Sequence, residues 1–194
     1  TCKTSSGAGG AIYFSNDSGQ CVFCRICCYD CGSNSAGHVI FTSVQNDVLS
    51  KNYVNYSSIS RCVNTNTWQM SRLYNGKNCY QSVNISLNKC YGNSVICYPF
   101  CDSNSVTCSF SYSTFTDNTA TNYALFLLWR TGAKSEIKSC NILRNTQGAL
   151  DTRGTISTNG YLTIDYSCIL ENTANHNFYQ EYSSYTITLS NCTV

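Results

Sequence analysis

The sequence contains little proline, methionine or charge. One Pro and one Met occur among its 194 residues, and 11% of the chain is Asp, Glu, Lys or Arg. The net charge of +2 provides neither a basic field nor an acidic tail, so nucleic acid is not expected as a partner. The longest apolar run, residues 123–129, is far too short to cross a bilayer, and no membrane span is predicted.

Helix-forming residues are also scarce. Ser, Thr, Tyr, Asn, Ile, Val and Cys dominate, and these residue types favour strands and turns. Segments such as Ser135–Cys140 and Tyr161–Tyr166 alternate apolar and polar residues, as half-buried strands do. The composition therefore argues against a helical repeat protein.

A repeat of 27 residues runs through the second half of the chain, with the form apolar-x4-apolar-x2-Asn-Thr. Three full copies begin at Phe110, Ile137 and Ile164. Looser copies begin at Phe23, Val44, Ile85 and Ile187. This gives seven repeats, and five of the six intervals between them are 21 to 27 residues, a period typical of solenoids.

These features predict an all-β fold, a right-handed parallel β-helix of about seven coils that forms a single domain over residues 1–194. The surplus length after the Val44 copy is assigned to a loop insertion at about residues 53–67, which are rich in Ser, Asn and Thr. One interior column is predicted to contain Ile85, Phe110, Ile137, Ile164 and Ile187. A second is predicted to contain Cys90, Phe115, Ile142, Ile169 and Cys192.

An asparagine column is predicted at one turn of the coil. Its members are Asn93, Asn118, Asn145 and Asn172. Asn tolerates left-handed backbone geometry, and stacked amides can hydrogen-bond from coil to coil. We interpret this column as structural.

Several motifs resemble those of a known family. Gly9-Gly-Ala-Ile12 and Phe115-Thr-Asp-Asn118 match the GGA[ILV] and FxxN motifs of chlamydial polymorphic membrane proteins, and the chain is also similar to Cys-rich trichomonad relatives of that family. Degenerate copies are found at Gln147–Leu150, Ile142–Asn145 and Ile169–Asn172. The resemblance implies a β-helical surface or secreted protein, often adhesive. The chain departs from the chlamydial pattern in its far more frequent Cys.

The 15 Cys bring the chain close to the composition of a disulfide scaffold, and the odd number leaves at least one thiol free or bonded to another chain. Cys21, Cys24, Cys27 and Cys31 reproduce the C-x2-C-x2-C-x3-C run of bacterial ferredoxins. Gly32 follows in place of the usual Pro, and the run has no second copy. Disulfides or buried thiols are preferred, zinc and an iron–sulfur cluster remain as alternatives, and no cofactor is predicted.

Four sequons agree with an extracellular or cell-surface location. Their acceptors are Asn16, Asn55, Asn84 and Asn191. Strand alternation turns Asn84 and Asn191 outward, and Asn55 falls in the predicted insertion. All four are candidate glycosylation sites if the source is eukaryotic.

A polysaccharide-cleaving enzyme needs paired carboxylates or calcium-binding Asp clusters on neighbouring coils. The 10 acidic residues do not gather in this way. Asp117, Arg144 and Glu171 alternate in sign at the repeat spacing, which predicts a solvated row of ion pairs. His38 and His176 lie in predicted turns and are expected to be exposed. No catalytic residue is predicted.

The ends of the chain suggest self-assembly. Neither end has an amphipathic helix or a charged cap, which monomeric β-helices use to cover their open coils. The chain starts at Thr1 without an initiator Met or a signal peptide, and we expect a mature or excised product. The last coil breaks off where the first could take over, so the sequence predicts head-to-tail stacking that propagates. Cys2 and Cys192 are expected near the junction as an intersubunit disulfide.

The predicted function is therefore an extracellular structural protein whose partner is itself, in a disulfide-stabilised and glycosylated filament. The first alternative is a cell-surface adhesin, a fragment of a longer passenger with surface glycans or proteins as partners. The second is a polysaccharide lyase or hydrolase.

Overall fold

The molecule is a parallel β-solenoid. The computed structural model describes residues 1–5, 7–17, 19–35, 37–45, 48–64, 69–91, 95–101, 107–121, 124–148 and 153–194. These residues contain no helix, hence none that could cross a membrane, and their parallel strands stack into about six turns, close to the predicted seven. The all-β solenoid predicted from the repeat is confirmed.

Two sheets run the full length of the solenoid. Sheet 1 contains, in spatial order, β2 (Ile12–Ser15), β6 (Ile40–Ser43), β10 (Ser71–Tyr74), β14 (Cys97–Phe100), β18 (Phe126–Leu128), β22 (Ile156–Thr158) and β25 (Phe178–Gln180). Sheet 2 contains β3 (Cys21–Cys24), β7 (Lys51–Asn55), β11 (Lys77–Gln81), β15 (Thr107–Ser111), β19 (Lys134–Lys138), β23 (Tyr161–Asp165) and β26 (Ile187–Ser190).

Two narrower sheets complete each coil. Sheet 3 contains β4 (Cys27–Tyr29), β8 (Ser58–Ser60), β12 (Asn84–Ser86), β16 (Thr114–Thr116), β20 (Asn141–Leu143) and β24 (Cys168–Leu170). Sheet 4 contains β9 (Val63–Asn64), β13 (Lys89–Cys90), β17 (Thr119–Ala120) and β21 (Thr146–Gln147). The short β1 (Lys3–Thr4) pairs with β5 (Gly32–Ser33), which lies beside β9. A coil therefore passes through sheets 1, 2, 3 and 4 in that order.

Strand alternation separates the interior from the surface. In β19, Ser135 and Ile137 are buried, whereas Lys134, Glu136 and Lys138 are exposed. Successive side chains of a strand point to opposite faces, so a five-residue strand sends two side chains inward. Because the strands are parallel and in register, each inward residue stacks on its counterpart one coil away.

The register confirms the predicted columns in the later coils and corrects them at both ends. Phe110 pairs with Ile137, and Ile137 pairs with Ile164, as predicted. The next member is Leu189 and not Ile187, which pairs with Leu162. Ile164 and Leu189 are 25 residues apart, whereas the predicted alignment of Ile164 with Ile187 assumed 23, so the column was placed two residues early.

The second predicted column shows a similar shift. Phe115 pairs with Ile142, and Ile142 pairs with Ile169, but the preceding member is Ile85 and not Cys90. Tyr80 takes the place that was predicted for Ile85, one coil before Phe110. The corresponding coil spans 30 residues instead of 27, because its connections are longer.

The predicted insertion is wrong. Lys51–Asn55, Ser58–Ser60 and Val63–Asn64 are regular strands of the solenoid, and residues 65–68 lie outside the described part of the chain. The repeat unit of this coil starts at Val54 and continues with Ile59 and Cys62, whereas Leu49 is 75% exposed. Asn55, Ser58 and Ser60, which suggested a loop, occupy half-buried strand positions that alternate with the inward-facing Val54 and Ile59.

The main apolar core is one continuous cluster along the solenoid interior. Its middle is aromatic, since the rings of Tyr80 and Phe110 stack at 5.0 Å and Phe115 and Phe126 meet Phe110 edge-on at 5.8 and 5.1 Å. Tyr80 is fully buried and its hydroxyl lies 2.7 Å from that of Ser71, so the polar tip is satisfied. Burial raises the pKa of the Tyr80 hydroxyl well above its ordinary value.

Candidate functional site

A ladder of side-chain amides runs along the interior at the corner between sheets 3 and 4. The Oδ1 atom of Asn145 accepts hydrogen bonds from the backbone N–H of Asn118 at 3.1 Å and from its Nδ2 at 3.0 Å. Asn145 Nδ2 donates in turn to the carbonyl of Phe115 at 2.9 Å. The same pattern links Asn88 to Asn118 and Asn145 to Asn172. The predicted coil-to-coil bonding of Asn118, Asn145 and Asn172 is therefore confirmed.

Two details of the asparagine prediction change. Asn93 lies outside the described residues, and Asn88 is the ladder member of its coil. The residues with left-handed backbone are the ones that precede the ladder, for example Asp117 and Arg144, with φ of 56° and 51°. Asn118 is 0% exposed and Asn145 2%, so the role of these side chains is to form buried hydrogen bonds between coils.

The predicted row of ion pairs begins with a bidentate contact. Arg144 Nε and Nη2 donate to the two carboxylate oxygens of Asp117 at 2.9 and 3.1 Å. The hydrogen bond from Arg144 lowers the pKa of Asp117. Glu171 follows on the next coil at the same corner. Both partners are exposed, so this contact contributes little to stability.

The ferredoxin-like Cys run does not converge on one point. Cys21 and Cys31 are buried, whereas Cys24 and Cys27 are exposed. Cys24 lies on β3 and Cys27 on β4, on two different sheets. Within the described ranges, no three His, Cys, Asp or Glu side chains are placed to hold a metal ion.

Buried thiols instead continue the asparagine ladder toward the first coil. The Cys62 backbone N–H donates to Asn88 Oδ1 at 2.9 Å, and the Cys31 N–H donates to Cys62 Sγ at 3.3 Å. Burial raises the pKa of Cys62 to about 12, and burial with the neighbouring Cys31 raises that of Cys28 to about 12. These thiols are protonated, inert and apolar at neutral pH.

One disulfide, between Cys101 and Cys108, joins the end of β14 to β15, and the other 13 Cys are free. The two cysteines expected at a subunit junction lie on different corners. The register of β1 with β5 aligns Cys2 with Cys31, whereas Cys192 immediately precedes the bridge between Thr193 and Cys168. Cys2 is exposed and Cys192 half-buried.

Three of the four sequon asparagines are exposed: Asn16, Asn84 and Asn191. Asn55 is half-buried on β7, in a strand and not in a loop. Of the two His, His176 is exposed as expected, but His38 is 0% exposed, and its Nδ1 contacts the carbonyl of Ser33. The expectation of an exposed His38 is wrong because the segment before β6 packs against the first coil.

The two terminal coils leave interior residues incompletely covered. The partly buried residues packed against the main core all belong to the first and last coils: Ala11, Ile12, Phe23, Ile26, Phe178, Ile187 and Cys192. The edge strands β2, β3 and β4 lie at one end of their sheets, and β25, β26 and β24 lie at the other. Both ends thus present apolar side chains beside strand edges. Within the described chain no further strand lies beside β2, β3, β4, β25 or β26, whereas the outer edge of β24 is bridged by Thr193.

The corner between sheets 2 and 3 carries a second regular feature. Seven coils turn this corner through one residue with φ between 48° and 58°: Arg25, Tyr56, Ser82, Tyr112, Ser139, Tyr166 and Asn191. The three tyrosines occupy alternate coils and are 59%, 62% and 61% exposed. The sequence reasoning missed this tyrosine row, although Tyr112, Ser139 and Tyr166 keep the 27-residue period.

Comparison with family models, with curated proteins and with solved structures gave no match.

Proposed function

We propose that this chain is an extracellular structural protein whose solenoids stack head to tail into a filament. The observation that supports this most strongly is the position of the partly covered core residues, all of which lie on the first and last coils. Covering them with another coil would remove apolar surface from water and pair the open strand edges.

A second copy fits these ends because the repeat has a constant register. Leu189 ends the interior column that Phe23 begins, and Phe178 ends the sheet 1 column that Ile12 begins. In-register stacking would extend both columns without a break. Sheets 1 and 2 each have seven strands, so each copy would add seven strands to each of these two sheets and an axial repeat of about 34 Å.

The extracellular assignment is supported by the disulfide between Cys101 and Cys108 and by the exposed sequon asparagines Asn16 and Asn191. In-register stacking would hold Cys2 and Cys192 on different corners of the junction. We therefore propose stacking that depends on strand pairing and apolar contact, with no requirement for a bond between these two thiols.

The test uses a charge placed in the interior column at the last coil. Leu189→Lys would bury an unpaired ammonium at the junction, whereas Thr188→Lys, one residue away, points outward. We expect negative-stain images of the unmodified chain and of Thr188→Lys to show filaments with an axial repeat of about 34 Å. Leu189→Lys should remain monomeric while keeping its β-type circular dichroism.

Reductant should not dissolve the filament, since no intersubunit disulfide is required. A folded chain that stays monomeric over the full concentration range would contradict the proposal, as would filaments of Leu189→Lys equal to those of the unmodified chain. The adhesin alternative is favoured by one separate observation, the exposed tyrosine row at the corner between sheets 2 and 3.

A further inference from the structure

The tyrosine row consists of Tyr56, Tyr112 and Tyr166, and its backbone geometry is unusual. Left-handed φ is disfavoured for side chains with a Cβ atom and is adopted most readily by Gly and Asn. At this corner three of the seven positions are nevertheless Tyr, one of the bulkiest side chains. The same geometry recurs at the corner between sheets 3 and 4, for example at Leu87 and Asp117, so the coil imposes it whatever the side chain. What distinguishes the tyrosine row is its exposed aromatic rings on alternate coils.

The spacing of the row is regular. Ser82 and Ser139 occupy the coils between the tyrosines, so each large ring is followed by a small side chain. Neighbouring coils are about 4.8 Å apart, and successive rings are therefore attached about 10 Å apart along the axis. The small serines leave a gap between the rings.

A shallow groove occupies the gap between Tyr56 and Tyr112. Its floor includes Ser82 and, on the adjoining sheet 3, Ser58, Asn84 and Thr114. The last three belong to one outward column, because Ser58 pairs with Asn84 and Asn84 pairs with Thr114. The coils of Tyr56, Ser82 and Tyr112 thus each place a hydroxyl or an amide beside the tyrosine row.

The charge of the groove limits what it can bind. Among the described residues that line the groove, Arg25, at one end, is the only one with a charged side chain. Phosphorylated and strongly anionic ligands would need several cations, and cationic ligands would need carboxylates. The groove instead matches a neutral ligand that combines apolar faces with many hydroxyl groups, since rings can stack on the faces and the polar column can bond the hydroxyls.

We propose that the tyrosine row binds a linear, neutral β-1,4-linked glycan that runs parallel to the solenoid axis. In an extended β-1,4 chain each sugar is rotated by about half a turn from its neighbour, so equivalent faces recur at every second sugar. Tyrosines on alternate coils present rings with the same two-step repeat. Ser58, Asn84 and Thr114 hydrogen-bond the hydroxyls between the rings. The site lies along one side of the solenoid and does not depend on end-to-end stacking.

The sequon at Asn84 adds a constraint. Asn84 is exposed and forms part of the groove floor, so an N-linked glycan attached there would fill the space that the ligand needs. Binding should therefore be measured on protein from a host that does not N-glycosylate.

The experiment is a titration of the purified chain with cellohexaose. Binding is detected by calorimetry and by intrinsic tyrosine fluorescence. Maltohexaose, whose α-1,4 linkages make the chain curve, is the matched control ligand. We expect saturable binding of cellohexaose and at least tenfold weaker binding of maltohexaose. Tyr112→Asn should weaken cellohexaose binding at least tenfold, since Asn accepts left-handed geometry and only the ring is lost.

Tyr112→Phe keeps the ring and should retain binding, and so should Tyr91→Ala, an exposed tyrosine that follows β13 on another side of the solenoid. No variant should unfold at a lower midpoint than the unmodified chain, so that a loss of affinity cannot come from unfolding. Absence of cellohexaose binding at millimolar concentration, equal binding of maltohexaose, or unchanged affinity in Tyr112→Asn would each overturn the proposal. Binding of an extended peptide in place of the glycan at the same row would overturn it as well.

Discussion

At the scale of single residues, the buried amides of the asparagine ladder are as important as the apolar columns. Each of Asn118 and Asn145 accepts two hydrogen bonds through Oδ1 and donates one through Nδ2 to a backbone carbonyl. A buried polar group that loses its partner costs about 1–3 kcal/mol. The ladder therefore fixes the coil register, since a slip by one residue would leave several amides unpaired.

Asn145→Ala tests this ladder. The substitution leaves the backbone N–H and the Nδ2 of Asn118 and the carbonyl of Phe115 without their partners. We expect the free energy of unfolding to fall by roughly 2–4 kcal/mol, measured by urea denaturation. Asn141→Ala, an exposed asparagine on the same coil, should change it by less than about 0.5 kcal/mol. Equal effects of the two substitutions would contradict a structural role for the ladder.

The buried thiols predict loss of stability in alkali. Burial raises the folded-state pKa of Cys28 and Cys62 to about 12, above an unfolded value of about 8.5. A raised pKa contributes stability that is fully present below about pH 8.5 and is lost as the pH rises toward the folded value. The free energy of unfolding should thus fall between pH 8.5 and 10. Cys62→Val should reduce the fall in the free energy of unfolding by up to about 1.4 kcal/mol per pH unit. An unchanged dependence on pH would refute the role of the buried Cys62 thiol.

At the scale of the elements, the repeat motif has a direct structural meaning. In Phe115-Thr-Asp-Asn118 the Phe points inward from β16, Asp117 turns the corner with left-handed backbone, and Asn118 points inward to the ladder. The five-then-three spacing separates successive inward positions on sheet 2, on sheet 3 and at the corner before sheet 4. The spacing could be read from the sequence because each of these corners has a constant length of two residues, one of which has left-handed backbone.

The segments that the sequence reasoning placed wrongly are those where connections vary. Coils measured along the asparagine and thiol column range from 26 to 31 residues, so counting from one repeat to the next shifted Ile85 by one whole column. The tyrosine row was missed for a different reason. Its members are outward and left-handed, and neither property follows from an apolar pattern.

The second glycine of the GGA motif also has a structural reason. A Cβ atom at Gly10 would collide with the carbonyl oxygens of His38 and Gly32, and one at Gly148 with that of Thr121. Close approach of neighbouring coils therefore requires glycine at these two positions. The motif reports on coil packing, independently of any function shared with the proteins that it resembles.

The corner between sheets 2 and 3 gives a prediction at this scale. Ser139 has φ of 52°, which a β-branched side chain tolerates poorly. Ser139→Val should lower the free energy of unfolding by about 1–2 kcal/mol, whereas Ser139→Gly should leave it unchanged or raise it by up to about 1 kcal/mol. The matched control is Ser109→Val, which places the same residue in the middle of β15, where Val is favoured. A destabilisation by Ser109→Val as large as that by Ser139→Val would contradict the backbone explanation.

At the scale of the whole molecule, a solenoid is a one-dimensional stack in which each coil contacts only its neighbours. Central coils are covered on both sides and terminal coils on one, so stability should decrease from the middle toward both ends. The aromatic cluster of Phe110, Phe115 and Phe126 lies in the middle, while Phe178 on β25 is only half-buried. Stacking would convert each terminal coil into an internal one.

Two phenylalanine truncations and hydrogen exchange test this gradient together. Phe115→Ala should lower the free energy of unfolding of the monomer by about 3–5 kcal/mol, and Phe178→Ala by clearly less, since its side chain is already partly in water. Backbone amides of β25 and β26 should exchange faster than those of β15 and β16 in the monomer. If copies stack through their open coils, filament formation should slow exchange in β25 and β26 and leave β15 and β16 unchanged. Fast exchange of β26 in assembled material would mean that the last coil is not the surface through which the copies associate.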